Sequence, residues 1–205
     1  MIMTRTQFES CLDSHAEALE QIRLSAHKLH DSVGQTYGDK LPYGFHLDMV
    51  VDEMKRYGHE VVTSEQDVLP LLFSGYYHDS IEDARQTYND VKRTARQWMN
   101  DEQAVMAAEI VYALTNDKGR SREERAGEHY YEGIRATPYA PFAKLCDRLA
   151  NVTHSCVAQD RLNERMKNTY GKEMQHFLNG IRTTSNDPRF GLPEDAVRQL
   201  LQLIV

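Results

Sequence analysis

Cysteine is scarce in this chain, three among 205 residues, and Cys11, Cys146 and Cys156 stand far apart with no Cys-x-x-Cys pair. That spacing excludes a disulfide framework and a thiolate zinc site, and makes the reducing cytoplasm the default compartment. Positive charge is in short supply too: 24 lysines and arginines against 31 aspartates and glutamates leave a formal net charge of −7. Duplex nucleic acid normally demands a basic stripe, so no polynucleotide partner is expected. A small anion held through a cation remains compatible with the same charge. Residues 1–9 lack the apolar core of a signal peptide, and no uninterrupted apolar stretch reaches the length of a membrane span. A soluble protein with no membrane partner is therefore expected. Alternating strand patterns, internal repeats, low-complexity tracts and an interdomain linker are also missing.

What is present is helical periodicity. Leu12, Ala16, Leu19, Ile22, Ala26 and Leu29 recur at steps of three or four and predict a helix over residues 8–30, with Thr6 and Glu9 as its capping box. Residues 31–44 carry Gly34, Gly38 and Pro42 and read as a loop. Further helices are expected over 45–57, 65–82, 88–99, 102–114, 122–135, 140–162, 166–181 and 194–204. Turn chemistry separates them at Asn116-Asp117-Lys118-Gly119, Thr137-Pro138 and residues 185–193. The expected architecture is an all-α, single-domain helical bundle spanning residues 1–205, long enough to bury a substantial core.

The chemistry concentrates in Tyr77-His78-Asp79-Ser80-Ile81-Glu82-Asp83, directly after the apolar run Val68-Leu69-Pro70-Leu71-Leu72-Phe73. On a continuous helix, His78 with Glu82 and Asp79 with Asp83 stand four apart, so four proton-handling or metal-ligating groups would share one side. His46, after the turn Leu41-Pro42-Tyr43-Gly44, and Asp147, on a segment where Lys144, Arg148 and Asn151 share its side, offer further ligands. Two imidazoles and two carboxylates make a mixed N/O site suited to Mn²⁺, Fe²⁺, Zn²⁺ or Mg²⁺, with positions left for water and a phosphate oxygen.

Four motifs in order resemble those of the HD phosphohydrolases, and more narrowly the hydrolase domain of the Rel/SpoT alarmone enzymes and their short stand-alone relatives. Pro42-Tyr43-x-x-His46 resembles PYxxH, His78-Asp79-Ser80-Ile81-Glu82-Asp83 resembles HDxxED, Leu114-Thr115-Asn116-Asp117-Lys118 resembles the VTxxDK-like segment, and Lys144-Leu145-Cys146-Asp147-Arg148-Leu149-Ala150-Asn151 resembles KLADRxxN. The resemblance implies His46, His78, Asp79 and Asp147 as ligands of one divalent ion, Mn²⁺ by that analogy, with Glu82 and Asp83 serving the attacking water. It implies Tyr43 and Asn151 at the substrate, with Lys144 or Arg148 contacting phosphate or buttressing Asp147; out of the mixed-charge stretch 117–125, which reads as a solvated helix start, only Lys118 is expected to reach the pocket. The activity implied is release of pyrophosphate from the 3′ position of ppGpp or pppGpp, a small phosphorylated nucleotide.

One departure is plain. Where those hydrolases carry an arginine that stacks on guanine, residues 33–40 here read Val-Gly-Gln-Thr-Tyr-Gly-Asp-Lys, leaving Tyr37 as the aromatic candidate for a base. Phosphatase action on dNTPs, nucleoside monophosphates or NADPH is therefore the second enzymatic expectation. A non-catalytic nucleotide sensor is the third, disfavoured because Glu82 and Asp83 are both present. His27 and His30 are expected to be structural, and the oligomeric state is left open.

Overall fold

A run as apolar as residues 68–73 has no polar face to show to water, so a helix built from it must be surrounded on all sides. The computed structural model, which describes residues 1–38, 40–157 and 161–204, arranges the rest of the chain to do this. In chain order the helices are α1 (Arg5–Ser14), α2 (Ala16–Ser32), α3 (Gly44–Tyr57), α4 (Val68–Tyr77), α5 (Ser80–Asp83), α6 (Tyr88–Ala95), α7 (Asp101–Leu114), α8 (Arg122–Arg125), α9 (Glu128–Ala136), α10 (Ala140–Val157), α11 (Arg161–Ile181) and α12 (Glu194–Ile204). Every residue of α4 is buried, packed by α2, α3 and α7, while α10 lies against α3, α7, α11 and α12. The all-α bundle expected from periodicity is what the chain forms.

Several boundaries differ from the expected ones, each for a local reason. The helix expected over 8–30 is two helices, parted at His15, whose φ of −103° and ψ of 8° leave the helical range; its N–H is shared between the Cys11 and Leu12 carbonyls, and the Ser14 hydroxyl also donates to the Cys11 carbonyl at 2.8 Å. The capping box belongs to Thr4 and Gln7 rather than to Thr6 and Glu9. That register puts buried Met3 and Phe8 at the staple positions flanking the cap. Residues 31–44 hold a small antiparallel ribbon, β1 (Thr36–Tyr37) with β2 (Leu41–Pro42). Two residues per strand are too few to show alternation, and Gly38 at φ +59° makes part of its turn. The helix expected over 122–135 breaks at Ala126 and Gly127, giving α8 and α9. The one expected over 88–99 stops at Ala95. The expected span 140–162 ends at Val157, residues 158–160 lie outside the described residues, and Leu162 belongs to α11, which starts before the expected residue 166.

The most consequential break divides the expected helix 65–82 at His78 and Asp79, between α4 and α5. In an unbroken helix the Gly75 carbonyl would serve the Asp79 N–H. Here it accepts from His78 Nδ1 at 2.8 Å. Gly75 also permits α3 and α4 to approach closely: a Cβ there would lie 2.6 Å from Met54 Sδ and 2.9 Å from Val51 Cγ2. Gly75→Ala is expected to cost about 1–3 kcal/mol through overpacking, read as a lowered urea midpoint. The same variant should weaken cation binding, because α3 carries His46 and α4 leads into His78.

Candidate metal centre and substrate cavity

His46 sits in the first turn of α3, His78 and Asp79 at the α4–α5 break, and Asp147 midway along α10. The break turns Asp79 back toward the imidazoles, an arrangement that a continuous helix would not make. His46 Nε2 and His78 Nε2 lie 3.2 Å apart. Asp79 Oδ2 is 3.0 Å from His78 Nε2 and 3.7 Å from His46 Nε2. Asp147 Oδ1 is 3.4 Å and 3.8 Å from the Nε2 atoms of His46 and His78. Donor atoms each about 2.1 Å from one ion stand roughly 3.0–3.4 Å apart, so this spacing suits a single small cation.

The donor chemistry agrees with that geometry. Because a carbonyl can only accept, the Gly75 bond fixes the His78 proton on Nδ1 and leaves Nε2 to face the cluster, the outer-sphere arrangement typical of a ligating histidine. Burial alone would lower the His78 pKa, but the Asp79 and Asp147 carboxylates outweigh it and lift the group to about 9. Asp147 is held well below the usual carboxylate range, with burial opposing and the Lys144 ammonium leading the effects that overcome it. Asp79 is likewise lowered: burial works against ionisation and the His78 charge prevails. A cluster this anionic gathers positive charge, and a divalent ion fits its donors.

Around these four residues the chain builds supports. Tyr43 stacks on buried His30 with ring centroids 4.6 Å apart, and its hydroxyl donates to Asp79 and, at 3.3 Å, to Asp83. Asn151 Nδ2 donates to Asp147 Oδ1 at 2.6 Å while its Oδ1 accepts from Tyr37 at 2.9 Å. Lys144 Nζ donates to Asp147 Oδ2 at 2.9 Å. Tyr37 lies flat against His46, centroids 4.8 Å apart. Tyr37, Tyr43, Lys144 and Asn151, expected at the substrate, all line the cavity beside the cluster, and each also engages one of the cluster's residues. One face of Tyr37, the ring that sequence reasoning offered to a base, is taken by His46.

A cavity of about 280 Å³ opens beside the cluster, close to the ~300–1,000 Å³ of small-molecule pockets. Glu82 and Asp83 line it along with Asp79 and Asp147. Glu82 accepts from Asn116 Nδ2 at 2.9 Å. The Asp83 carboxyl is raised by burial and by neighbouring Asp79. Arg148 does not buttress Asp147: its Nη1 donates to Glu173 at 3.2 Å.

Lys118 is exposed and is not among the residues lining this cavity, whose cations are Arg122, Arg125, Lys144 and Arg148. Arg122 and Arg125 sat in a mixed-charge stretch that reads as a solvated helix start. Only the short helix α8, folded toward α11, brings them to the cavity. Of the other histidines, His27 bonds Asp48 at 2.9 Å and packs against Gly44, where a Cβ would lie 2.6 Å from its ring. Both His27 and His30 are structural neighbours of the site and not part of the cluster.

The comparison with solved structures bears on this arrangement. A metazoan ortholog of SpoT that hydrolyses ppGpp superposes with a TM-score of 0.63, covering 90% of this chain and 93% of its own. The chain has the fold of an HD-type ppGpp hydrolase. The two sequences are 19% identical, so what carries over is the fold, and the chemistry must be argued from the residues. No family model matches the chain, and no curated protein matches it in sequence. Among the described residues, no helix is long and apolar enough to cross a membrane.

Proposed function

We propose that the chain is a divalent-metal-dependent phosphohydrolase that releases pyrophosphate from the 3′ position of ppGpp or pppGpp. The observation that carries this reading is the grouping of His46, His78 and Asp79 at ion-binding separations, with Asp147 Oδ1 within 3.8 Å of both imidazoles and two further carboxylates lining the adjoining cavity. A divalent ion held by these four residues, Mn²⁺ by the family resemblance, supplies neutralisation of phosphate charge and an acidified water. Glu82 and Asp83 are the chain's own proton acceptors beside that position. Asn116 orients Glu82 and the Tyr43 hydroxyl orients Asp83, so neither carboxylate has to be ordered at the moment of reaction. Water adds to the phosphorus as the bond to the 3′ oxygen breaks; one carboxylate takes a proton from the water and gives it to the departing 3′ oxygen, which leaves as the ribose hydroxyl. Lys144, paired with Asp147, keeps that carboxylate ionised.

A second reading, removal of orthophosphate from NADPH or another nucleotide, is favoured by one observation. The loop 33–40 supplies no arginine for guanine, and Tyr37 is stacked on His46. Product analysis separates the two readings on ppGpp, pppGpp, ppApp, NADPH and dNTPs with Mn²⁺. Pyrophosphate from the 3′-diphosphates supports the proposal; orthophosphate from NADPH, or tripolyphosphate from dNTPs, with no turnover of the alarmones replaces it by the second reading.

A further inference from the structure

The helix α2 ends in a turn that delivers a side chain to the site. Gly34, at φ +71°, donates to the Asp31 carbonyl at 3.0 Å, and the Gln35 N–H donates to the His30 carbonyl at 3.2 Å. This nested pair is the Schellman ending, in which the residue after a left-handed glycine folds back over the one five positions earlier. The side-chain contact that often joins those two positions is apolar. Here both are polar, His30 and half-buried Gln35. His30 is fully buried, its ring stacked on Tyr43 with planes 15° apart, and among the described residues neither ring nitrogen has a hydrogen-bond partner. Burial lowers its pKa to about 4, with Asp79 and the Gln35 side chain opposing, so at neutral pH the imidazole is uncharged and keeps one N–H to donate. Because α2 packs on α5, the Gln35 amide also reaches the Asp83 carboxyl and donates to it. The Tyr43 hydroxyl reaches the same carboxyl at 3.3 Å. Two donors thus meet Asp83, and both rest on His30, Tyr43 through its ring and Gln35 through its backbone. An amide suits that place, because its oxygen can accept from the imidazole while its NH₂ donates to the carboxylate.

We propose that Gln35 is a positioning residue for Asp83, its amide fixing the direction of the carboxylate, and that His30 is the buried support that keeps Gln35 and Tyr43 in place. Asp83 has this use only under the phosphohydrolase reading, on which the assignment rests. Gln35 acts through Asp83 and not on the ion or the substrate. Its effect therefore falls on the chemical step and not on binding.

Gln35→Ala keeps the backbone bond and the Gly34 turn and removes only the amide. With ppGpp and saturating Mn²⁺ it is expected to lower kcat about tenfold, as loss of one charge-assisted hydrogen bond implies, with KM and bound Mn²⁺ unchanged. A loosened loop would move all three. Gln35→Glu, an acceptor with no donor, is expected to fare no better than Gln35→Ala. His30→Phe, which keeps a ring against Tyr43 and removes the N–H, is expected to show part of the loss; full activity in it overturns the part given to His30. Once Asp83 is alanine, adding Gln35→Ala is expected to change kcat no further, since the group being positioned is gone. Unaltered kcat in Gln35→Ala, an equal change in KM or metal content, rescue by Gln35→Glu, or a full further loss in the Asp83→Ala background overturns the assignment and leaves the hydrolase reading intact. Urea midpoints in a chelator read the same contact without turnover: Gln35→Ala and Asp83→Ala are expected to be non-additive, and additive midpoints overturn the contact. Non-additive midpoints in a protein that turns over no 3′-diphosphate uphold the contact and reject the reaction.

Discussion

Asp147→Ala is expected to lower the stability of the metal-free protein by about 3–5 kcal/mol, the cost of leaving a buried charge without its partner. Asp147 accepts from Lys144 Nζ at 2.9 Å and from Asn151 at 2.6 Å, and its Oδ1 lies 3.4 Å from His46 Nε2. Only 14% of the Lys144 side chain is exposed, and its ammonium lies 5.7 Å above the Tyr130 ring, so it has little water to turn to. Urea unfolding in a chelator reads the loss without interference from a bound ion. The paired variant Asp147→Ala/Lys144→Met, which removes both charges, should recover much of it, because breaking an ion pair costs more than replacing it. The pH dependence has a defined sign. The Asp147 carboxyl is held below its ordinary value of 3.8 in the folded chain, so its contribution is full above that value and is lost as the pH falls toward the folded pKa. The gap between wild type and Asp147→Ala should therefore be constant at neutral pH and close in acid. A loss below 1 kcal/mol at neutral pH would show that Lys144 is not held as described.

Glu82→Gln and Asp83→Asn are each expected to lower kcat by roughly 10²–10⁴-fold, the usual worth of a positioned general base. Neither is among the four residues whose donor atoms converge, so both variants should still take up one equivalent of Mn²⁺. Their supports differ, which separates their parts in the reaction. Asp83 is raised by burial and by Asp79, and is held by Tyr43. Glu82 is aligned by Asn116 and faces Arg125. Asn116→Ala should therefore reduce kcat in part, by loosening Glu82, while leaving metal content unchanged. Full activity in either acid variant, or loss of the ion along with activity, would remove that residue from the role of base.

The bundle was legible because apolar residues recur at helical steps, and α4 because its run has no polar face. The breaks were not, since the one that matters is made by a side chain: His78 occupies the Gly75 carbonyl, a contact invisible to periodicity. The residues of the cluster could be named from the order of short motifs, but their supports could not. Tyr37 and Asn151 are 114 positions apart in sequence and meet only when the ribbon folds onto α10. Arg122 and Arg125 carried no local signal, since arginine amid glutamates reads as a solvated face until α8 places it against Glu173. Lys118, though part of a recognisable motif, is exposed and outside the cavity lining, since local pattern does not report which side of a short turn faces in.

The most direct test is a titration of metal-free protein with Mn²⁺ in the presence of ppGpp, following pyrophosphate release and bound metal together, in wild type and His78→Ala. The account predicts that activity rises with the first equivalent of Mn²⁺ per chain and saturates there, and that His78→Ala loses both the ion and the activity. Pyrophosphate release in the presence of a chelator, or undiminished release by His78→Ala, would contradict it.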